Sequence, residues 1–296
     1  MSLPNRCKAW LVLARPPNLP TVPGDPLAGL CLAGAAPGWN GLWTGLAALG
    51  LYLAGLLLND VADRAIDARE RPDRPIPSGR ISVRAAALAG ALAAGSGLLA
   101  AAQAGVYTLT AGCLVLMLVL TYTFTTRRGS VAGLIVMGLC RAASVGMGLA
   151  ATLPQAPSPH LALAGAGGIG LYITAVSLLA ADEAHCRRLD ARRWLPTAAA
   201  CLALGGVAVG ADNRAHLPVY MLLAAAALLR IVLVTHRLGR APAPGDLPRA
   251  IGGFIRALLL IQAAYCATQP AGLPLAAGLI LLQPLAAQLG RRFYAS

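Results

Sequence analysis

Apolar stretches close to twenty residues long recur along the whole chain, at about 18–36, 40–58, 83–103, 106–126, 130–151, 161–181, 194–211, 216–236, 250–268 and 272–289. Each is near the ~20 residues an α-helix needs to cross the hydrocarbon core of a bilayer. Within that core every backbone N–H and C=O must find its partner inside the protein, and a helix satisfies them within the segment itself. The expected fold is therefore an all-α, polytopic membrane bundle of nine to ten transmembrane helices. The ninth stretch is the weakest candidate, because it carries Arg256. With 57% hydrophobic and 12% charged residues and a mean hydropathy of +0.67, the chain leaves little room for a soluble domain. Soluble proteins carry charge on about a quarter of their residues. A single integral-membrane domain over residues 1–296 is expected.

The net charge of +13 raises nucleic acid as a partner, but the positions of the basic residues argue for topology instead. Arg6, Lys8 and Arg15 precede the first stretch, Arg64, Arg69, Arg71, Arg74, Arg80 and Arg84 follow the second, and Arg127 and Arg128 follow the fourth. Arg187, Arg188, Arg192 and Arg193 follow the sixth, Arg237, Arg240 and Arg249 the eighth, and Arg291 and Arg292 the tenth. The intervening loops contribute only Arg214. By the positive-inside rule this alternation predicts both termini in the cytoplasm, and so ten spans rather than nine. No nucleic-acid partner is expected; membrane lipids are. The basic N-terminus runs at once into ARPPNLPTVPGDP (14–26), which is not a signal-peptide pattern, so the first span is expected to be retained as an anchor. Seven cysteines stand singly, most of them inside apolar stretches, and read as buried structural thiols.

Acidic residues are concentrated. Of eleven, five lie in NDVADRAIDARERPDRP after the second stretch and three in DEAHCRRLDARRWLP after the sixth. Asp25, Asp212 and Asp246 are the others. These two segments are expected to face each other across one cavity. Leu56, Leu57 and Leu58 run straight into Asn59, so NDVADRAID begins at the membrane boundary, where ionisable groups normally mark a site. Asn59, Asp63 and Asp67 are spaced i, i+4, i+8 and share one face if the helix continues. Three oxygen ligands of that kind suit Mg2+, completed by water and substrate phosphate. The bland alternative is a solvated loop whose acids pair with Arg64, Arg69 and Arg71. Arg69, Arg71 and Arg74 beside a metal cluster instead suit a phosphate, since guanidinium forks bind phosphate in bidentate fashion. A cytoplasmic cavity walled by apolar helices then points to an amphiphile with a diphosphate head and a hydrocarbon tail. Glycines in the fifth stretch, Gly133, Gly138, Gly146 and Gly148, are expected to serve close helix packing.

NDxxDxxxD followed by RPDRPIPSG resembles the first aspartate-rich motif of the UbiA superfamily of intramembrane prenyltransferases. ARPPNLPT (14–21) is similar to the RP-containing approach to that family's first helix, and LTYTFTTRR (120–128) to its tyrosine-plus-basic segment. The resemblance covers residues from about 14 to 195. VMGLCRAASVGMG (136–148) is similar to the EboC-like branch. The resemblance implies a helical bundle around a central cavity in which two aspartate motifs hold Mg2+ and the diphosphate of an isoprenoid donor. Carried over residue by residue, it implies Asn59, Asp60, Asp63, Asp67, Asp182 and Glu183 as metal ligands, with Asp63, Asp67 and Asp182 central to catalysis. Diphosphate contacts would come from Arg15, Asn18, Arg74, Arg127 and Arg128.

The second motif departs from the family's DxxxD: four residues after Asp182 stands Cys186, and the nearest acids are Glu183 and Asp190. Asp190 reads as a solvated partner of Arg187 or Arg193, and His185 as a solvated histidine rather than a base. Arg141 and Arg256, inside predicted spans, are candidates for donor or acceptor contacts, and Arg141 joins the diphosphate set. Tyr122 and Tyr172 are candidates either for lining the cavity near a cation or for interfacial anchoring. The expected activity is Mg2+-dependent transfer of an isoprenyl group from a prenyl diphosphate to a small acceptor, aromatic or polyhydroxylated and cyclitol-like. Alternatives are a membrane terpene cyclase, or a lipid-diphosphate carrier or transporter working with biosynthetic partners.

Overall fold

A computed structural model describes residues 5–126, 130–181, 188–211, 216–240, 242–243 and 245–293. The helices are α1 (Asn5–Ala14), α2 (Gly24–Leu32), α3 (Gly38–Ala62), α4 (Arg64–Glu70), α5 (Val83–Gln103), α6 (Val106–Thr125), α7 (Val131–Ala150) and α8 (Pro159–Ala181). They are followed by α9 (Leu195–Gly210), α10 (Leu217–Leu238), α11 (Asp246–Cys266) and α12 (Leu273–Arg292). Nine of these among the described residues, α3 and α5 to α12, are long and apolar enough to cross a membrane once the short turns leading into α9 and α12 are counted. The protein is an integral, multi-pass membrane protein. Leu88, Leu92 and Leu99 on α5, Leu222 on α10 and Leu281 on α12 are all more than half exposed, as lipid-facing side chains should be.

The expected first span over 18–36 is not one helix. Its residues form a short turn at Leu19–Thr21, then α2, which ends at Leu32 and is followed by Gly34 at φ +90. Pro16, Pro17, Pro20 and Pro23 explain the break, because each lacks an N–H and disfavours a helical residue before it. This segment enters the bundle all the same. The Cβ of any residue replacing Gly29 would overlap the Val145 carbonyl, and one replacing Gly148 would overlap that of Pro26, so α2 and α7 touch backbone to backbone. Gly138 likewise lies against Gly170 of α8. Gly133 lies against Thr126 at the end of α6 and Ser130 at its own N-cap, and Gly146 has open space beside it.

Successive spans of a membrane bundle alternate in direction, which brings the ends of α3, α6, α8, α10 and α12 to one face together with the starts of α5, α7, α9 and α11. The span expected to be weakest because it carries Arg256 is the most enclosed: 72% of the α11 window is buried. It packs on α2, α8, α9, α10 and α12, and its Phe254, Leu258, Leu259, Ile261 and Tyr265 are fully buried. A second core joins α3, α5, α6 and α7 around Leu51 and Met147. Cys31 and Cys266 are buried as expected, whereas Cys7, Cys113 and Cys201 are exposed: an apolar stretch does not by itself say which of its faces turns inward. Cys186 lies outside the described residues.

Candidate functional site

The end of α3 is fixed from below by a small core. Ala9 and Leu13 of α1, Leu57 of α3, Ile76 and Ile81 of the following loop and Ala86 of α5 pack together. Ile76 belongs to RPDRPIPSG, whose three prolines forbid a continuing helix and whose Gly79 takes φ +74. The loop therefore turns back under α3 and carries Arg74 with it. Backbone bonds from Arg74 N–H to the Arg71 carbonyl (3.0 Å) and from Ser78 N–H to the Arg74 carbonyl (3.0 Å) hold that arginine in place.

Asp63 both closes α3 and opens α4. Bonds from Asp63 N–H to Asn59 O (2.8 Å) and from Asp67 N–H to Asp63 O (2.9 Å) keep the i+4 ladder across this joint. The side chains sort into two groups rather than one row. Asn59 Nδ2 donates to Asp63 Oδ2 at 3.0 Å. Arg74 Nη1 donates to Asp67 Oδ2 at 2.8 Å and to Asp60 Oδ1 at 3.3 Å, so one guanidinium joins the two buried carboxylates. Arg15 Nη2 approaches the same Asp60 oxygen at 3.5 Å. Arg69 and Arg71 are exposed, and Arg64 donates to the Val61 carbonyl. Of the arginines near the motif, Arg74 and Arg15 are the ones that turn in toward its acids.

Arg15 sits at φ +45, a left-handed conformation uncommon outside glycine, asparagine and aspartate. Such strain persists only where the surroundings fix it, and it gathers at functional sites. Here it ends α1 and aims the guanidinium at Asp60. Arg15 and Asn18 also line a cavity of about 290 Å3 bounded by the segment 15–21 and by α3, α7, α8 and α11. Tyr52, Leu56, Met137, Arg141, Ile173 and Ile255 are among its other walls. Sequence reasoning overlooked Tyr52, whose place inside a long apolar helix carried no distinguishing signal. Tyr172 does not line this cavity; it is fully buried and donates its hydroxyl to the Phe254 carbonyl at 2.8 Å, so the expectation of a cavity or interfacial role is corrected. Tyr122 is partly buried on α6.

Arg141 is held deep in the bundle by residues the sequence reading left aside. Asp25, fully buried on α2, stands 3.0 Å from Arg141 Nε through Oδ2. Gln262 Nε2 of α11 donates to Asp25 Oδ1 and to the Thr21 carbonyl, both at 2.7 Å, while Arg141 Nη2 reaches Thr21 Oγ1 at 3.2 Å. Gly24 leaves the room that Gln262 fills, since a Cβ there would overlap the Gln262 amide. An acid inside an apolar stretch was the available signal for Asp25.

Among the described residues no group of three or more His, Cys, Asp or Glu side chains is placed to hold a metal ion. Asp182, Glu183, His185, Arg187, Arg127 and Arg128 lie outside the described residues. Asp190 is exposed.

The model of the UbiA prenyltransferase family matches residues 20–244. A digeranylgeranylglyceryl phosphate synthase of Methanopyrus kandleri is 39% identical over 79 residues, covering 27% of this chain and 29% of the relative. The enzyme of the same name from Methanothrix thermoacetophila is 42% identical over 80 residues, covering 26% and 29%. The chain thus aligns with under a third of the length of these relatives. A UbiA homologue from Aeropyrum pernix K1 in its apo form superposes with a TM-score of 0.66 at 19% identity, covering 83% of this chain and 96% of that one. A UbiA homologue from Archaeoglobus fulgidus bound to GPP and Mg2+ gives 0.63 at 18%, covering 88% and 99%. These likenesses are of fold.

Proposed function

We propose that this chain, which belongs to the UbiA prenyltransferase family, transfers an isoprenyl group from a prenyl diphosphate to a small acceptor at the cytoplasmic face of the membrane. One observation carries the reading: a largely apolar cavity has Arg15, Asn18 and Arg141 on its wall, and Arg15 reaches from it to the aspartate motif. Such a space takes a hydrocarbon chain, and its cationic groups take the diphosphate. The arginine distribution in the loops supports a cytoplasmic position for the motif and both termini.

In this reading Arg15, Asn18, Arg74 and Arg141, with Arg127 and Arg128, bind the diphosphate. Breaking the bond between the allylic C1 and the diphosphate oxygen sends the electron pair to the leaving group, where fixed guanidiniums meet the developing charge. The allylic cation left behind lies in the largely apolar cavity that Tyr52 lines, where an aromatic ring can stabilise it. Acceptor oxygen or ring carbon then supplies the electrons for the new bond and gives up its proton to the departed diphosphate or to solvent.

The residues present fit Mg2+ in donor chemistry, since that ion takes one or two carboxylates and completes its shell with water and substrate phosphate. Asn59, Asp60, Asp63 and Asp67 would hold it, with Asp182 and Glu183 of the second segment. Bound there, it would neutralise charge on the departing diphosphate. The Archaeoglobus homologue bound to GPP and Mg2+ supports this assignment.

The test offers the purified chain, Mg2+ and labelled geranyl, farnesyl or geranylgeranyl diphosphate to a pool of small molecules, glyceryl phosphates first because of the name shared by the two synthases. A labelled product with the mass of the donor alcohol plus an acceptor, less one water, is expected. A labelled hydrocarbon formed without acceptor would make the chain a cyclase. Donor binding with no turnover would make it a carrier.

A further inference from the structure

A second concentration of charge lies apart from the central cavity, between α10, α11 and α12. Two adjoining basins of about 570 and 690 Å3 share Arg230, Arg249 and Arg256 on their walls. Arg237 lines the first, and Arg291 and Arg292 line the second. Asp246 is the acidic side chain on these walls among the described residues, and Arg249 already pairs with it at 3.1 Å. Arg237, Arg249, Arg291 and Arg292 sit near helix ends, where topology alone accounts for them.

Topology does not account for Arg230 and Arg256. Arg230 stands about 12 Å along the axis from the end of α10, and Arg256 about 15 Å from the start of α11, at ~1.5 Å per residue. Guanidiniums at such depth are costly and normally face a cavity and a partner. Among the described residues neither has a carboxylate at salt-bridge distance, and both have a buried Nε without a hydrogen-bond partner. Two like charges sharing one basin repel each other unless an anion lies between them. The walls leave space for one. Gly252 and Gly290 line the second basin, and a Cβ at Gly290 would stand 3.0 Å from Arg256 Nη1.

Helix α11 separates this basin from the central cavity: Ile251 and Ile255 face the cavity, and Arg249 and Arg256 face the basin. The basin is also built largely beyond the family match, which ends at residue 244. Its first part continues outward over Leu229 and Leu233, which are exposed on the surface of α10. A soluble phosphate has no use for that apolar flank, whereas acyl chains do. We propose that the arginine basin between α10, α11 and α12 binds the phosphate of an anionic phospholipid, taken from the leaflet at which the aspartate motif lies. Guanidinium forks match phosphate oxygens, and basic pockets between membrane helices are suited to such headgroups. The assignment goes beyond prenyl transfer and stands whether or not the central cavity turns over.

The test titrates the detergent-purified full chain by calorimetry with short-chain phosphatidylglycerol, with short-chain phosphatidylcholine and with inorganic phosphate. Saturable binding of phosphatidylglycerol is expected, with much weaker binding of the other two. Arg230→Gln/Arg256→Gln should weaken phosphatidylglycerol binding about 30-fold. Should that variant fail to fold, Arg291→Gln/Arg292→Gln reads the same loss from the basin's rim. Equal affinity for the two lipids, or phosphatidylglycerol affinity unchanged in the folded variants, overturns the proposal. Inorganic phosphate binding as tightly as phosphatidylglycerol overturns the lipid assignment in favour of a soluble phosphate ligand.

Discussion

Arg74→Gln is expected to lower pyrophosphate release from a prenyl diphosphate about 10²–10³-fold, the scale seen when one preorganised donor to developing charge is removed. Two losses coincide in this variant. In the proposed reading the diphosphate loses a guanidinium, and Asp60 and Asp67 lose the group that joins them at 3.3 and 2.8 Å. Arg74→Lys keeps the charge but not the fork, so it should recover only part of the rate. Turnover per folded molecule is the quantity to measure. If Arg74 only supports the fold, the melting temperature falls while the turnover of the folded fraction is unchanged.

Asp25→Leu should have the largest effect on stability. It leaves Arg141 without its carboxylate inside the bundle, and breaking a buried ion pair from one side costs about 3–5 kcal/mol. Replacing both partners is expected to behave differently. Asp25→Leu/Arg141→Met removes the stranded charge and should regain most of the lost stability, because apolar replacement of a whole buried pair is often neutral. It should not regain turnover, since Arg141 lines the cavity proposed for the donor. Thermal melting of the single and double variants, with pyrophosphate release measured beside it, separates the two roles. Recovery of turnover in the double variant would remove Arg141 from the site.

Much of this architecture was legible in the sequence because bilayer thickness imposes a length on every span, and the nine long helices coincide with nine of the apolar stretches. The first stretch misled because hydropathy is blind to backbone: Pro16, Pro17, Pro20 and Pro23 break a segment whose side chains are still apolar enough. The aspartate motif was legible as a cluster at a membrane edge. Its internal pairing was not, because a same-face spacing does not say which neighbour a loop such as 71–81 folds back to offer, and here that loop brings Arg74 between Asp60 and Asp67. Asp25 and Gln262 find each other across 237 residues, a meeting only tertiary packing decides. The span expected to be weakest proved the most enclosed for a related reason: in a membrane the interior helix, not the lipid-facing one, can keep polar groups such as Gln262 and Arg256.

The most direct test of the central claim is pyrophosphate release by the purified chain supplied with Mg2+, a prenyl diphosphate and acceptor, compared with Asp63→Ala under the same conditions. The account predicts release that depends on Mg2+ in the wild type and is abolished in the folded variant. Release that proceeds equally well in Asp63→Ala, or that is unaffected by removing Mg2+, would contradict it.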